Sequence, residues 1–288
     1  MIQIEHVTRA YGNQKVLSDV FLQVNKGDFM VFFGDDDAGK TALLQIMMGF
    51  DTEYDGKVSV LKKDPMNWTK REFQKVRYVP DDIIWAKDMT VAEYFFLSQI
   101  SALKYNQKLQ ERLCEKYQIS VENSLLEMTY QENKMVQIIA AVCAIPQLLI
   151  LDEPLNFLSR KAYLTLLEDL RTWNKLGMTI LIAAEHYEDV RGYAKQYAYI
   201  REGELIKQDI VPSEDYRYKV ITIEGGKTPM IKDLITGFMS ERNGRLRFSY
   251  QGSADGLVRM FGSIECEDIV VDELTLQEEI EMDFSRWE

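Results

Sequence analysis

The sequence has few of the residues that mark several common classes of protein. It contains three cysteines and two histidines in 288 residues, and the histidines, His6 and His186, lie far apart. A disulfide framework and a zinc-type metal site are therefore disfavoured. The cysteines, at positions 114, 143 and 266, are scattered through apolar contexts, which fits reduced thiols in a cytosolic protein.

Positive charge and long apolar runs are also scarce. The net charge of −12 argues against binding to nucleic acid, which requires a basic face. The longest apolar stretch, Ile138 to Leu151, is interrupted by Pro146 and Gln147 and is too short to span a bilayer. The N-terminus begins as a strand and lacks the layout of a signal peptide. We therefore expect any role at a membrane to depend on a partner protein.

The segment from Phe29 to Met48 contains the most specific motif of the chain. An apolar run precedes the sequence GDDDAGKT, residues 34–41, and apolar residues at helical spacing follow it. A strand, a glycine-containing loop and a helix are the context in which G-x-x-x-x-G-K-[ST] binds a polyphosphate through backbone N–H groups and the helix N-terminus. We predict phosphate contacts from Gly34, Asp35, Asp36, Asp37, Ala38, Gly39, Lys40, Thr41 and Ala42.

Two side chains of this loop have predicted roles, and three others are unusual. Lys40 is expected to reach the β- and γ-phosphates, and the Thr41 hydroxyl to ligate Mg²⁺. The three consecutive aspartates place negative charge beside a polyanion, which weakens its binding unless their side chains point outward. Asp37 also fills a position that such loops often give to glycine.

A second motif, LLILDEP at residues 148–154, supplies two acids after a buried strand. In a parallel sheet such a strand delivers its last residues to the carboxyl edge, where ligands bind. We predict that Asp152 holds Mg²⁺, and that Glu153 orients or deprotonates a water molecule that attacks the γ-phosphate.

Strands and helices alternate through the first 210 residues, which predicts an α/β fold with a mostly parallel sheet. A helical insert, predicted over Thr90 to Leu103 and Lys108 to Tyr117, interrupts the alternation. Its aromatic residues form either a core stripe or a docking surface. Tyr11, in a turn, either packs on its neighbours or stacks on adenine. A further helix, Met128 to Val142, begins with a capping box of Thr129 and Glu132.

Taken in order, Tyr11, GDDDAGKT, the helical insert and LLILDEP resemble the nucleotide-binding subunit of ABC transporters over about residues 1–210. The resemblance implies a P-loop NTPase (RecA-like) core with an antiparallel β subdomain and a helical subdomain at about 83–145. It implies an ATPase that uses ATP and Mg²⁺ and pairs head to tail with a second ATP-binding subunit. An integral-membrane permease would hold it at the cytoplasmic face of the membrane.

Several positions depart from the family pattern. Asp81 stands where the family has glutamine, and we assign it to the Mg²⁺ site with Thr41 and Asp152. The signature LSGGQ is replaced by residues 128–132, MTYQE, in which Tyr130 obstructs and Glu132 repels a phosphate.

Two later positions also differ from the family. Ser159 occupies the position of the family's D-loop aspartate. Glu185 stands at the switch histidine, and His186, one place late, acts only if the strand end shifts.

These departures lead to a hypothesis with one alternative. The chain is expected to bind Mg-ATP through its own loop but to contribute a defective signature to the opposite site. Hydrolysis would then be weak or depend on a different partner subunit, although a homodimer stays open. The alternative is a non-hydrolysing regulatory subunit whose ATP-driven engagement is its output.

The last segment, about residues 212–288, is predicted to be a small α+β module. Strands are expected at Lys219 to Ile223, Leu246 to Tyr250 and Ile269 to Val271, and helices at 230–241, 254–262 and 276–284. A ferredoxin-like arrangement is one candidate. Similar extensions occur on exporter ATPases, so export is expected from the resemblance, while a plain dimerisation or packing element is the other reading.

Overall fold

The computed structural model describes residues 1–81, 89–156, 158–212, 218–224, 239–242, 245–252, 256 and 268–284. The chain divides into two compact units, Met1–Ile210 and Val211–Glu288. Within the described ranges, no helix is long and apolar enough to cross a membrane. The first unit contains both motifs found in the sequence.

The described part of the first unit contains nine strands and six α-helices. The strands are β1 (Ile2–Tyr11), β2 (Gln14–Val24), β3 (Phe29–Phe33), β4 (Asp55–Val60), β5 (Val76–Val79), β6 (Leu148–Asp152), β7 (Thr179–Ala184), β8 (Gln196–Arg201) and β9 (Glu204–Ile210). The helices are α1 (Lys40–Met47), α2 (Lys70–Phe73), α3 (Val91–Ser101), α4 (Gln107–Tyr117), α5 (Tyr130–Cys143) and α6 (Arg160–Lys175).

The central sheet has six strands in the order β5-β6-β7-β3-β8-β9. All neighbours are parallel except β8 and β9, which form an antiparallel hairpin. Strands β3, β6 and β7 are buried at every residue, which explains why they read as continuous apolar runs. Because these strands are parallel, their carboxyl ends meet at one edge, and the two motifs lie there.

A second sheet, in the order β2-β1-β4, is antiparallel throughout. Its inward-facing apolar residues join one core with those of β3 and α1, including Ile4, Leu22, Met30 and Leu43. This sheet forms the predicted antiparallel β subdomain, and it packs against the helix that follows the phosphate loop.

Helices α3, α4 and α5 form the predicted helical subdomain. Helices α3 and α5 each begin with a capping box, Thr90 with Glu93 and Thr129 with Glu132; the second confirms the expectation from sequence. The apolar residues of α3 are partly core and partly exposed, so the docking alternative stays a prediction. Phe95 is buried, whereas Phe96 and Ile100 on the same helix are 61% and 58% exposed.

The second unit contains a four-stranded antiparallel sheet. Its strands are β10 (Tyr218–Glu224), β11 (Met239–Arg242), β12 (Arg245–Gln251) and β13 (Asp268–Glu273), in the order β11-β12-β10-β13, and α7 (Leu276–Phe284) follows. This strand order is that of a ferredoxin-like sheet. The three strands expected here are present.

The prediction of one helix in this unit is wrong over its last residues. The sequence predicted a helix over 230–241, but Met239–Arg242 is strand β11, which pairs with β12 in register. Pairing with a neighbouring strand satisfied the backbone here, so tertiary context overrode the local preference. The rest of that helix, and nearly all of the one expected at 254–262, lie outside the described residues.

Candidate nucleotide site

The phosphate loop connects the end of β3 to the start of α1. Gly39 is the N-cap of α1 and has φ 101°, a left-handed conformation that favours glycine. A Cβ at Gly39 would lie 2.7 Å from the Val16 carbonyl oxygen, and one at Gly34 would lie 2.1 Å from that of Ile200. Both glycines are therefore required by how closely the loop packs on β2 and β8.

Lys40 places its ammonium inside the loop. Its Nζ donates to the carbonyl oxygens of Gly34 at 2.5 Å and Asp35 at 3.0 Å, and it lies 3.3 Å from Glu153 Oε1. The side chain is 7% exposed. A buried positive charge held by the backbone of the loop is suited to an anion that occupies the same loop.

Asp152 lies at the carboxyl end of β6, beside the first turn of α1. The Thr41 hydroxyl and the Tyr78 hydroxyl each donate to its Oδ2 at 3.0 Å. Burial raises the pKa of Asp152, and the two hydrogen bonds oppose that rise. Its Oδ1 is buried and has no hydrogen-bond partner among the described residues. This oxygen is a free ligand position next to Thr41, as the predicted Mg²⁺ site needs.

Glu153 follows Asp152 in a strained backbone conformation with φ 45°. Its N–H donates to the Ala183 carbonyl oxygen of β7 at 3.1 Å. Burial raises the pKa of Glu153 to about 7, although the positive charge of Lys40 opposes the rise. A carboxyl group that titrates near neutral pH and lies beside the phosphate loop has the properties of a general base.

The remaining side chains of the loop divide between buried and exposed positions. Ala38 and Ala42 are buried, while the side chains of Asp35, Asp36 and Asp37 are exposed. The aspartates thus point outward, as binding requires. Asp37 has φ 62°, the conformation for which such loops often use glycine.

Tyr11 lies at the end of β1 and is 45% exposed. Its hydroxyl donates to Asp51 Oδ2 at 2.7 Å, and the Arg9 guanidinium lies 4.3 Å from its ring centroid. Because the guanidinium covers one face of the ring, the other face is the one available for stacking on a base.

Asp81 lies near the site but has partners other than a metal. Its Oδ1 accepts a hydrogen bond from the Tyr130 hydroxyl at 2.6 Å and lies 3.4 Å from Lys134 Nζ. These contacts favour Asp81 as a partner of α5 over the predicted role as a metal ligand. Sequence reasoning missed Lys134, whose only signal is a charged residue directly before an apolar helical run.

Among the described residues, no contact joins the His186 side chain to this constellation. Its side chain is 54% exposed, and its recorded partner is Glu185, at 3.6 Å. The backbone just before them does reach the loop, because the Gly34 N–H donates to the Ala184 carbonyl oxygen at 3.4 Å. Ser159, at the family's aspartate position, is the N-cap of α6 and accepts from the Ala162 N–H.

The family model described as ABC transporter matches residues 17–156, which include the phosphate loop, Tyr130 and both acids after β6. Residues 17–156 therefore form an ABC transporter domain, called the ABC domain below. The predicted family is thereby confirmed.

Two curated relatives and one solved structure illustrate the similarity. A zinc import ATP-binding protein from Wolbachia sp. subsp. Brugia malayi is 31% identical over 160 residues, covering 54% of this chain and 61% of the relative. An aliphatic sulfonates import ATP-binding protein from Agrobacterium fabrum is 29% identical over 207 residues, covering 69% and 71%. The alignments thus span about three-fifths and seven-tenths of the relatives' lengths.

The solved structure is a dimeric bacterial ABC transporter cassette. It is 20% identical, with a TM-score of 0.65, and the match covers 74% of this chain and all of that chain, 100%. The ABC domain therefore has the fold of such cassettes. The predicted P-loop NTPase core is confirmed.

Proposed function

We propose that this chain is the ATP-binding subunit of a transporter and that it binds and hydrolyses Mg-ATP. The observation that carries the proposal is the convergence of four side chains. Lys40 and Thr41 from α1 meet Asp152 and Glu153 from the end of β6, within hydrogen-bond or ion-pair distance. Both relatives described above are named as ATP-binding proteins.

The residues present fit a bound Mg²⁺. Thr41 and the free Oδ1 of Asp152 would hold it, together with phosphate oxygens, since Mg²⁺ commonly uses one or two carboxylates and substrate phosphates. When bound, the metal supplies neutralisation of the negative charge on the phosphates.

The side chains of this chain divide the rest of the task. Lys40 binds the β- and γ-phosphates from within the loop, and the backbone N–H groups of residues 34–42 surround them. Glu153, when ionised, accepts a proton from the water molecule that attacks the γ-phosphate. Its position beside Lys40 supports this role, because the lysine is expected to bind the same phosphate.

The proposal includes two protein partners. One is a second ATP-binding subunit, as in the dimeric cassette. The other is an integral-membrane subunit that would bring this chain to the inner face of the membrane. A cavity of 420 Å³ between β5, α3 and α5 supports the second, because its lining includes Leu97, an apolar residue that is 45% exposed. The names of both relatives describe import, so they give no support to the expected export.

The start of α5 supports a different chain as the second ATP-binding subunit. Glu132 accepts the Thr129 N–H at 2.9 Å, so a carboxylate already occupies the N-terminus of α5. Tyr130 donates to Asp81 within the same chain. An anion from a partner's ATP would meet negative charge there. The second candidate function, an ATP-gated subunit that does not hydrolyse, rests on the same observation.

The experiment compares ATP affinity and turnover of the purified chain with three variants. Lys40→Ala is expected to weaken Mg-ATP binding at least about 100-fold, and Glu153→Gln to leave affinity within about threefold while abolishing turnover. Lys116→Ala is the matched control, because it removes a half-exposed lysine that pairs with Asp169 away from the loop. Unchanged affinity in Lys40→Ala would refute ATP binding at this loop.

Turnover distinguishes the two candidate functions. The hydrolysing subunit is expected to show turnover, alone or with its partner subunit, that disappears in Glu153→Gln. Tight ATP binding with no turnover in any complex would favour the ATP-gated subunit instead.

A further inference from the structure

Lys134 is the most deeply buried lysine among the described residues, with 1% of its side chain exposed. It lies in the second turn of α5. Its Nζ donates to the carbonyl oxygens of Pro80 and Asp81, both at 2.6 Å, and of Asp152 at 3.2 Å. An ammonium has three N–H donors, so each of these carbonyls can receive one.

The charge of Lys134 is balanced at the same place. Asp81 Oδ1 lies 3.4 Å from the ammonium, and the Tyr130 hydroxyl donates to that oxygen at 2.6 Å. A buried charge is tolerated when it is paired and hydrogen-bonded. The cluster therefore connects α5 to the ends of β5 and β6 through a single side chain.

The contact with the Asp152 carbonyl acts on the peptide that leads into Glu153. That carbonyl and the Glu153 N–H belong to one planar group. The N–H donates to Ala183 at 3.1 Å, and the carbonyl accepts from Lys134 at 3.2 Å, so the peptide is held on both sides. Glu153 has φ 45°, and a strained conformation of this kind persists only where the surroundings fix it.

We propose that Lys134 is a positioning residue, which holds the Asp152–Glu153 peptide in the orientation that aims the Glu153 carboxylate at the phosphate loop. The inference rests on the proposed function, because the purpose of that orientation is hydrolysis. Lys134 does not touch the nucleotide in this account. Its loss therefore affects the base and leaves the phosphate loop intact.

A purely structural role would produce a different result from a positioning role. If Lys134 only cross-linked the fold, its removal would loosen β5, β6, β7 and the start of α5 together. If it positions Glu153, the loosening is concentrated at the Asp152–Glu153 peptide. Amide hydrogen exchange reads this difference directly and does not require turnover.

The experiment uses the full chain and the variant Lys134→Met, which keeps length and apolar contacts but removes the charge and the donors. Exchange of the Glu153 amide is expected to rise at least about tenfold relative to the amide of Ile200, on a strand that Lys134 does not contact. The affinity for Mg-ATP is expected to stay within about threefold. Lys116→Met, the matched control, is expected to change neither quantity.

Hydrolysis supplies the second readout. In the preparation in which the parent protein turns over ATP, Lys134→Met is expected to lower kcat at least about tenfold with KM within about threefold. If Lys134→Met does not fold, Lys134→Gln takes its place with the same expectations, because it removes the charge and its side chain is one carbon too short to place an N–H where the ammonium lies.

An unchanged Glu153 amide in a folded variant overturns the proposal, as does a uniform rise in exchange across β5, β6 and β7. Failure of the proposed function appears separately. It would be seen as unaltered Mg-ATP affinity in Lys40→Ala, a residue that Lys134 does not contact.

Discussion

At the scale of single residues, Glu153 combines three properties that ordinary surface glutamates lack. It is 12% exposed, its backbone has a positive φ, and its carboxylate lies beside the ammonium of Lys40. Burial raises its pKa to about 7, more than the pairing with Lys40 lowers it. Glu153 therefore lowers the free energy of unfolding at neutral pH, and its carboxyl group can exchange protons at that pH.

Replacing Glu153 by glutamine tests this cost. The folded pKa is raised above the ordinary value of 4.5, so the folded state binds the proton more tightly than the unfolded state. The contribution of Glu153 to stability is therefore largest below about pH 4.5 and falls as pH rises toward 7. Glutamine does not titrate. The free energy of unfolding of Glu153→Gln, relative to that of the parent, is therefore expected to rise by on the order of 2–3 kcal/mol as the pH increases from about 4.5 to 8.

Chemical denaturation of both proteins at several pH values measures the difference. Comparing the two proteins cancels every other titrating group that they share. A stability difference that stays constant across this pH range would show that the Glu153 pKa is not raised.

At the scale of elements, α5 packs against α3, α4 and β5. Its N-terminus carries the capping box of Thr129 and Glu132, its second turn carries Lys134, and its remaining turns are buried. A carboxylate at a helix N-terminus satisfies backbone donors and the helix dipole. The same carboxylate makes this end of the helix a poor site for a second anion.

Removing the Glu132 carboxylate measures how much the capping box stabilises the protein. Glu132→Ala is expected to lower stability by about 1 kcal/mol, because α5 loses half of its capping box. Glu93→Ala is the matched control, since Glu93 has the same role at Thr90 of α3. Thermal or urea unfolding is the measurement, and a loss in only one of the two variants would show that the caps are not equivalent.

At the scale of the whole molecule, the proposed function gives the ABC domain one complete half-site and one altered half-site. The phosphate loop and the acids after β6 form the first, and the start of α5, with Tyr130 and Glu132, forms the second. Two copies of this chain placed head to tail would pair each intact loop with an altered signature. Self-association driven by ATP should accordingly be weak.

Restoring the signature is expected to strengthen ATP-driven self-association. In a Glu153→Gln background, the double change Tyr130→Gly with Glu132→Gln removes the obstructing ring and the like charge. ATP-dependent dimer formation is expected at about tenfold lower protein concentration than in the background alone. Analytical ultracentrifugation with and without Mg-ATP measures this, and Glu93→Gln in the same background controls for loss of a carboxylate. Equal dimerisation with and without the double change would show that Tyr130 and Glu132 do not limit association.

The sequence by itself determined the motif-bearing elements of this protein. Strand β6 occurs where the LLILDEP motif predicted it, the phosphate loop begins at the end of β3, and the box at Thr129 caps α5, because short-range periodicity and capping depend on neighbours a few residues apart. The approach of Thr41 to Asp152 was also predictable, since parallel strands deliver their ends to one edge.

Only the tertiary structure decided which elements contact one another. It placed Asp81 against Tyr130 and Lys134, buried a lysine within α5, and paired Met239–Arg242 with β12 where a helix was expected. Asp81 and Lys134 meet although helices α3 and α4 lie between them in the chain. Met239–Arg242 is a strand because it pairs with β12. Local propensity contains no information about such partners, because the free energy comes from burial and pairing that exist only after the chain has folded.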